Sequence, residues 1–113
     1  MHELAIAQSI LNIVEETVRK NNATEVTELE LEIGIFAGIE YESLEFALKV
    51  VSNNSILTNA SIVVIKPKGK ANCFECGLTF ELDNLFDPCP ACNSYKYNIT
   101  EGKKLRVKSL VVN

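Results

Sequence analysis

Four cysteines stand in two pairs in the second half of the chain. Cys73 and Cys76 are separated by two residues, as are Cys89 and Cys92, and twelve residues lie between the pairs. Two intervening residues let a tight turn aim both sulfurs at one point, and two such turns complete a tetrahedron. This spacing predicts a structural zinc site with four thiolate ligands, which leave no open position for a catalytic water.

Other uses of paired cysteines are less favoured. A redox dithiol of the thioredoxin type needs no second CxxC motif and usually follows a strand in a βαβ pattern. The sequence shows no signal peptide and no apolar stretch of membrane-spanning length, so we expect a cytoplasmic protein whose thiols stay reduced. Gly77 and Asn93 each follow a cysteine pair, and both tolerate the positive φ that such turns often need.

The only histidine of the chain is its second residue. The α-amine of Met1, the backbone nitrogen of residue 2 and the imidazole of His2 can form fused five- and six-membered chelate rings, with a fourth ligand from Glu3 or its amide. Square-planar nitrogen coordination favours Ni(II) or Cu(II) over zinc. The spacing alone leaves the site undecided, because a lone histidine near a terminus is more often a bystander.

Three glutamates, Glu28, Glu30 and Glu32, alternate with apolar residues. A row of carboxylates could be interpreted as a metal-binding site. A solvated outer face of a strand is the favoured interpretation, because cations prefer converging ligands to a flat row.

The elements that must position these groups follow from the apolar periodicity. Helical spacing covers residues 3–20 and 41–52, alternation begins at residue 26, and β-branched runs occupy 61–66 and 105–112. We therefore predict an α+β fold with two helices on a sheet of about three strands, carrying an inserted zinc-ribbon-like minidomain. The strand order cannot be read from the sequence.

The charge distribution also suggests two modules. Residues 1–65 hold ten acidic and three basic residues, whereas residues 66–113 hold eight basic and five acidic residues. We place the border so that residues 1–68 plus 101–113 form an α/β domain and residues 69–100 form the zinc-binding minidomain.

Metal should supply most of the folding energy of that minidomain, because its apolar mass is small and mainly aromatic: Phe74, Phe80, Phe86, Tyr95 and Tyr97.

Two other functional classes compete with a metal carrier. A zinc-ribbon module that binds nucleic acid is the strongest alternative, but a pI near 5.0 disfavours it. A local basic strip is still conceivable, from Lys66, Lys68 and Lys70 or from Lys103, Lys104, Arg106 and Lys108. An enzyme is not expected, since no Ser/His/Asp set, GxSxG turn or P-loop is present, and we assign no catalytic residue.

The chain resembles the HypA (HybF) family of nickel metallochaperones, which act in [NiFe]-hydrogenase maturation. The resemblance runs nearly end to end, through the opening MHELAIAQSI, then LEIGIFAGIEYESLEFAL, the motifs CFEC and CPAC, and KKLRV near the close. It implies transient Ni(II) at an amino-terminal site formed by Met1, His2 and Glu3. It also implies a structural Zn(II) on the four cysteines.

The same resemblance implies partners. These are the HypB-type nickel GTPase of the pathway, the [NiFe]-hydrogenase large subunit and, in some organisms, urease maturation proteins. Neither nucleic acid nor membrane is expected. Some relatives carry histidines beside the zinc cysteines, but this sequence has none there. Histidine-based pH sensing at the zinc site is therefore not expected.

Overall fold

A computed structural model describes residues 3–113, which contain two helices and six strands. The helices are α1 (Glu3–Lys20) and α2 (Tyr41–Ser52). The strands are β1 (Val26–Ile33), β2 (Ser61–Ile65), β3 (Gly69–Cys73), β4 (Thr79–Leu82), β5 (Tyr97–Glu101) and β6 (Leu105–Val112). They form two three-stranded sheets with the orders β2-β1-β6 and β4-β3-β5. The predicted α+β class is confirmed, whereas the second sheet was not anticipated. Two predicted nickel ligands, Met1 and His2, lie outside the described residues.

Both helices form where the apolar stripe predicted them. The buried side of α1 consists of Ala7, Ile10, Leu11, Val14 and Val18. Its first turn carries an acidic residue and its last turn two basic residues, which suits the helix dipole. The helix stops where Asn22 adopts a left-handed φ of 53°. No helix in residues 3–113 is long and apolar enough to cross a membrane.

β1 is the central strand of its sheet. Its residues Val26, Leu29 and Leu31 are fully buried. β6 runs antiparallel to β1, since Glu25 and Asn113 exchange backbone hydrogen bonds of 3.3 and 3.0 Å.

The row of glutamates on β1 is balanced by cations on β6. Lys108 lies 3.6 Å from the carboxylate of Glu30, and the Arg106 guanidinium donates to Glu32. The Glu32 carboxylate raises the pKa of Arg106 through this hydrogen bond. Within residues 3–113, the four cysteines are the only group of three or more potential ligands close enough to share an ion. The glutamates therefore form a strand face with cross-strand ion pairs.

The chain divides into two compact units. Unit 1 comprises residues 1–31, 39–64 and 107–113, and unit 2 comprises residues 32–38 and 65–106. Unit 2 is larger than the stretch 69–100 expected from sequence. Residues 32–38 belong to unit 2 because Phe36 packs against its core, and the Phe36 amide donates to the Gly102 carbonyl at 2.7 Å. The assignment of nickel to one part and zinc to the other stays a prediction.

The core of unit 2 is small and contains two of the cysteines. Its buried members are Ala71, Cys73, Phe80, Leu82 and Cys89, with Phe36, Tyr97 and Ile99 packed against them. Phe80 and Tyr97 meet edge to face, with ring centroids 5.4 Å apart. The other three aromatic residues expected to supply apolar mass are exposed: Phe74, Phe86 and Tyr95.

A close backbone crossing in unit 2 yields a stability prediction. Gly34 donates its amide to the Lys104 carbonyl at 2.9 Å, and a Cβ at Gly34 would collide with the carbonyl group of Gly102. Backbone atoms cannot rotate away, so we expect Gly34→Ala to lower the free energy of unfolding by about 3 kcal/mol in urea denaturation.

Gly38→Ala is the matched control. The space around Gly38 is open and its φ is 72°, so this change adds only left-handed backbone strain of about 1–2 kcal/mol. A smaller loss for Gly34→Ala than for Gly38→Ala would contradict the crossing.

Candidate metal centre

The four cysteine sulfurs converge on one point. Their Sγ atoms all lie within 4.8 Å of one another. Two contacts cross between the pairs, since Cys73 Sγ lies 3.6 Å from Cys92 Sγ and Cys76 Sγ lies 3.6 Å from Cys89 Sγ. All four are free thiols. The spacing that suggested a shared site is therefore matched by the geometry.

Two equivalent turns aim these sulfurs. In the first, the Gly77 amide donates to the Cys73 carbonyl at 3.1 Å, and the Cys73 amide donates to the Leu78 carbonyl at 2.8 Å. In the second, the Asn93 amide donates to the Cys89 carbonyl and the Cys89 amide donates to the Ser94 carbonyl, both at 2.8 Å.

Each turn closes on a residue in the left-handed region. Gly77 has a φ of 77° and Asn93 a φ of 60°, as their types predicted. Both turns therefore expose their cysteine pair in the same way.

Within each pair the first cysteine is buried and the second is exposed. Cys73 and Cys89 are 1% and 0% exposed and belong to the core of unit 2, whereas Cys76 and Cys92 face solvent. The sulfur cluster therefore lies at the edge of the core, with one side packed and the other open to exchange with solvent.

The thiols differ in acidity. Hydrogen bonds from the backbone amides of Cys76 and then Glu75 lower the pKa of Cys73 to about 7, against burial, which raises it. The Ser94 amide favours the Cys92 thiolate, but burial and the neighbouring thiols outweigh it and raise the pKa of Cys92 to about 12.

Cys76 behaves like Cys92. The Leu78 amide lowers the pKa of Cys76, yet burial and the thiols of Cys89 and Cys73 raise it overall. The thiolate of Cys73 thus forms readily, whereas the thiols of Cys76 and Cys92 resist ionisation until a cation offsets the charge.

The donor set fits zinc. A tetrahedral ion with Zn–S bonds of about 2.3 Å requires S···S separations of about 3.8 Å, close to the 3.6 Å contacts between the pairs. Bound there, zinc would offset half of the charge of four thiolates. Cys73, Cys76, Cys89 and Cys92 would hold it, and four sulfurs fill its coordination sphere.

Tyr97 supports the site in a way that the sequence did not reveal. Its hydroxyl lies 2.7 Å from the carbonyl oxygens of both Leu85 and Asp87, so its single hydrogen serves these two acceptors. These bonds tie the loop that leads into Cys89. Burial, followed by the charge of Asp87, raises the pKa of Tyr97 and keeps the hydroxyl protonated. In the sequence Tyr97 stands between Lys96 and Asn98, and nothing there marked its hydroxyl for this role.

The proposed basic strip is partly neutralised. Lys68 pairs with Glu81 at 3.7 Å, and Arg106 and Lys108 pair with the glutamates of β1. These contacts leave less free positive charge for phosphate groups than the sequence suggested.

Zinc binding should release protons. At pH 7 the thiols of Cys76 and Cys92 are protonated because their pKa values are raised, and thiolates are the form that binds metal. We expect at least two protons released per zinc bound by metal-free protein, and tighter zinc binding as the pH rises. A pH indicator in weakly buffered solution measures the release, with Mg²⁺ as the control cation. Fewer than two protons per zinc would rule out ligation by all four thiolates.

Comparison with known proteins places the chain in a family. Residues 1–112 match the family described as hydrogenase/urease nickel incorporation, metallochaperone, HypA. A hydrogenase maturation factor HypA of Parabacteroides distasonis is 46% identical over 112 residues, covering 99% of this chain and 97% of the relative. The same factor of Rhodobacter capsulatus is 38% identical, covering 99% of both chains.

Solved structures agree on the fold. The solution structure of the Ni metallochaperone HypA from Helicobacter pylori gives a TM-score of 0.72 at 24% identity, covering 99% of this chain and 97% of that one. A second solution structure of a HypA protein gives 0.76 at 24% identity, covering 100% and 97%. The family consists of maturation factors rather than catalytic enzymes. By its match over nearly the whole length, the chain belongs to the HypA family of nickel-incorporation metallochaperones.

Proposed function

We propose that this protein binds Ni(II) at its amino terminus and delivers it during [NiFe]-hydrogenase maturation, while a structural zinc occupies the four-cysteine site. The observation that carries the proposal is the match of residues 1–112 to a nickel-incorporation family. The opening Met1-His2-Glu3 supports it, because these residues supply an amine, an amide nitrogen and an imidazole to one ion.

The start of α1 bears on how tightly nickel is held. The helix begins at Glu3, so the proposed chelating residues directly precede its first turn. A helix amino terminus carries partial positive charge and disfavours a cation, and the Glu3 carboxylate offsets part of that effect. A site of few ligands next to such a terminus holds nickel reversibly, which suits a carrier that must release its cargo.

The proposed partners follow from the family. A hydrogenase maturation factor must meet the maturation machinery, and we propose the HypB-type nickel GTPase and the hydrogenase large subunit as its contacts, with urease maturation proteins as further recipients in some organisms. The cytoplasm is the proposed compartment. Affinity order favours copper over nickel, so selectivity has to come from metal availability and from the recipient.

The zinc proposal predicts a local effect of Cys73→Ala. Loss of one thiolate removes a ligand and a core member of unit 2. We expect zinc content to fall from one per chain toward zero and unit 2 to unfold, while the helices of unit 1 persist. Elemental analysis and amide hydrogen exchange measure both effects. Unchanged zinc stoichiometry would refute the four-thiolate assignment, and Thr79→Ala, at an exposed position of β4, is the control.

The nickel proposal predicts a separate effect of His2→Ala. Without the imidazole, tight Ni(II) binding should be lost in isothermal titration, whereas zinc content and fold stay intact. Binding to the unmodified protein should weaken below neutral pH, because protons compete with nickel for the amine and the imidazole.

Extension of the chain provides the matched control. A few residues added before Met1 bury the α-amine in a peptide bond and should abolish nickel binding, whereas the same residues added after Asn113 should not. Equal nickel affinity in both extended proteins would overturn the amino-terminal site.

A further inference from the structure

The cysteine-bearing end of unit 2, residues 71–95, exposes a concentration of large apolar side chains. Single exposed apolar residues are common, but clusters mark interaction sites. Here the exposed fractions are 70% for Phe74, 38% for Leu78, 46% for Leu85, 85% for Phe86 and 67% for Tyr95. None of these residues contributes to the core of unit 2.

Backbone and hydroxyl hydrogen bonds bring these residues together around the paired residues Cys73 and Tyr97 of β3 and β5. Phe74 follows Cys73, and its amide donates to the Lys96 carbonyl at 3.0 Å, next to Tyr95. The Cys73 amide bonds to Leu78, as described above. The Tyr97 hydroxyl reaches the carbonyls on both sides of Phe86. These bonds place the backbones of the apolar residues close together in space as well as in sequence.

Phe86 is the most exposed of them and stands at the tip of a tied loop. Besides the Tyr97 bonds, the Asp87 amide donates to the Asn84 carbonyl at 3.2 Å. An aromatic side chain on a constrained loop loses less conformational freedom when a partner covers it. Aromatic residues also dominate the energetics of protein interfaces.

The negative charge of residues 71–95 indicates the charge of the partner that would bind there. Residues 71–95 contain Glu75, Glu81, Asp83 and Asp87 and no lysine or arginine, and with the exposed Lys96 that follows them the net charge stays negative. Lys68 pairs with Glu81, which leaves three exposed carboxylates without a basic residue in the stretch. A surface of this kind repels nucleic acid and anionic lipid. It complements lysine and arginine side chains, which also stack on exposed aromatic rings.

We infer that the cysteine-bearing end of unit 2 is a docking surface for a basic, apolar segment of a partner protein, with Phe86 as its anchor. The inference is independent of the amino-terminal nickel site. It rests on the folded form of unit 2, and the carboxylates supply its negative charge.

Photocrosslinking of the full chain in its native host tests this surface. Phe86 is replaced by p-benzoylphenylalanine, a change tolerated at an 85% exposed position, and Phe46 of unit 1, which is 70% exposed, receives the same replacement as the control. After irradiation, mass spectrometry identifies the attached peptides. We expect several-fold more adduct at position 86 than at position 46, attached to a lysine- or arginine-rich apolar segment of another protein.

Charge variants supply the second arm. The double variant Glu75→Gln, Asp83→Asn should lower the adduct yield at position 86 several-fold. The control double variant Glu15→Gln, Glu42→Gln changes the net charge by the same amount within unit 1, and it should leave that yield unchanged. Asp83→Asn alone replaces the double variant if the latter loses its zinc. The inference would be overturned if the adduct yield at position 86 were no higher than at position 46. It would also be overturned by attachment to a second copy of this chain or to an acidic or uncharged segment, or by equal loss of adduct in both charge variants.

Discussion

The convergence of four sulfur atoms within 4.8 Å is the constraint on which unit 2 depends. Two of these sulfurs belong to residues that are themselves core members, so the small apolar core and the cluster cannot form separately. Four thiolates at this distance repel one another, and a divalent cation among them reduces that repulsion. The two equivalent turns, closed at Gly77 and Asn93, orient each cysteine pair toward the same point.

The proposed division of labour between two metals follows from the different surroundings of the two sites. A four-sulfur site at the edge of a core would fill the coordination sphere of zinc and retain the ion, whereas the proposed chelate of few ligands at the amino terminus would exchange its ion. Unit 1 has an apolar core built from α1, α2 and the first part of β1, and needs no metal to bury it. Loss of zinc and loss of nickel should therefore have different structural consequences.

Much of unit 1 could be predicted from sequence because its elements are amphipathic. α1, α2 and β6 occupy the ranges that periodicity indicated. The second sheet was missed because β3, β4 and β5 are only four or five residues long and carry little apolar pattern. The contacts of Phe36 with the core of unit 2 are tertiary, so periodicity could not reveal them. For the same reason, the sequence could not tell that Phe80 and Tyr97 are packed while Phe86 is exposed. The cysteine set was predicted because CxxC spacing has few geometric solutions.

The most direct test of the two-metal account is X-ray absorption at the zinc and nickel edges of one doubly loaded sample. The account predicts four sulfur neighbours at about 2.3 Å around zinc, and only nitrogen and oxygen neighbours around nickel. Sulfur in the nickel shell, or nitrogen or oxygen in the zinc shell, would contradict it.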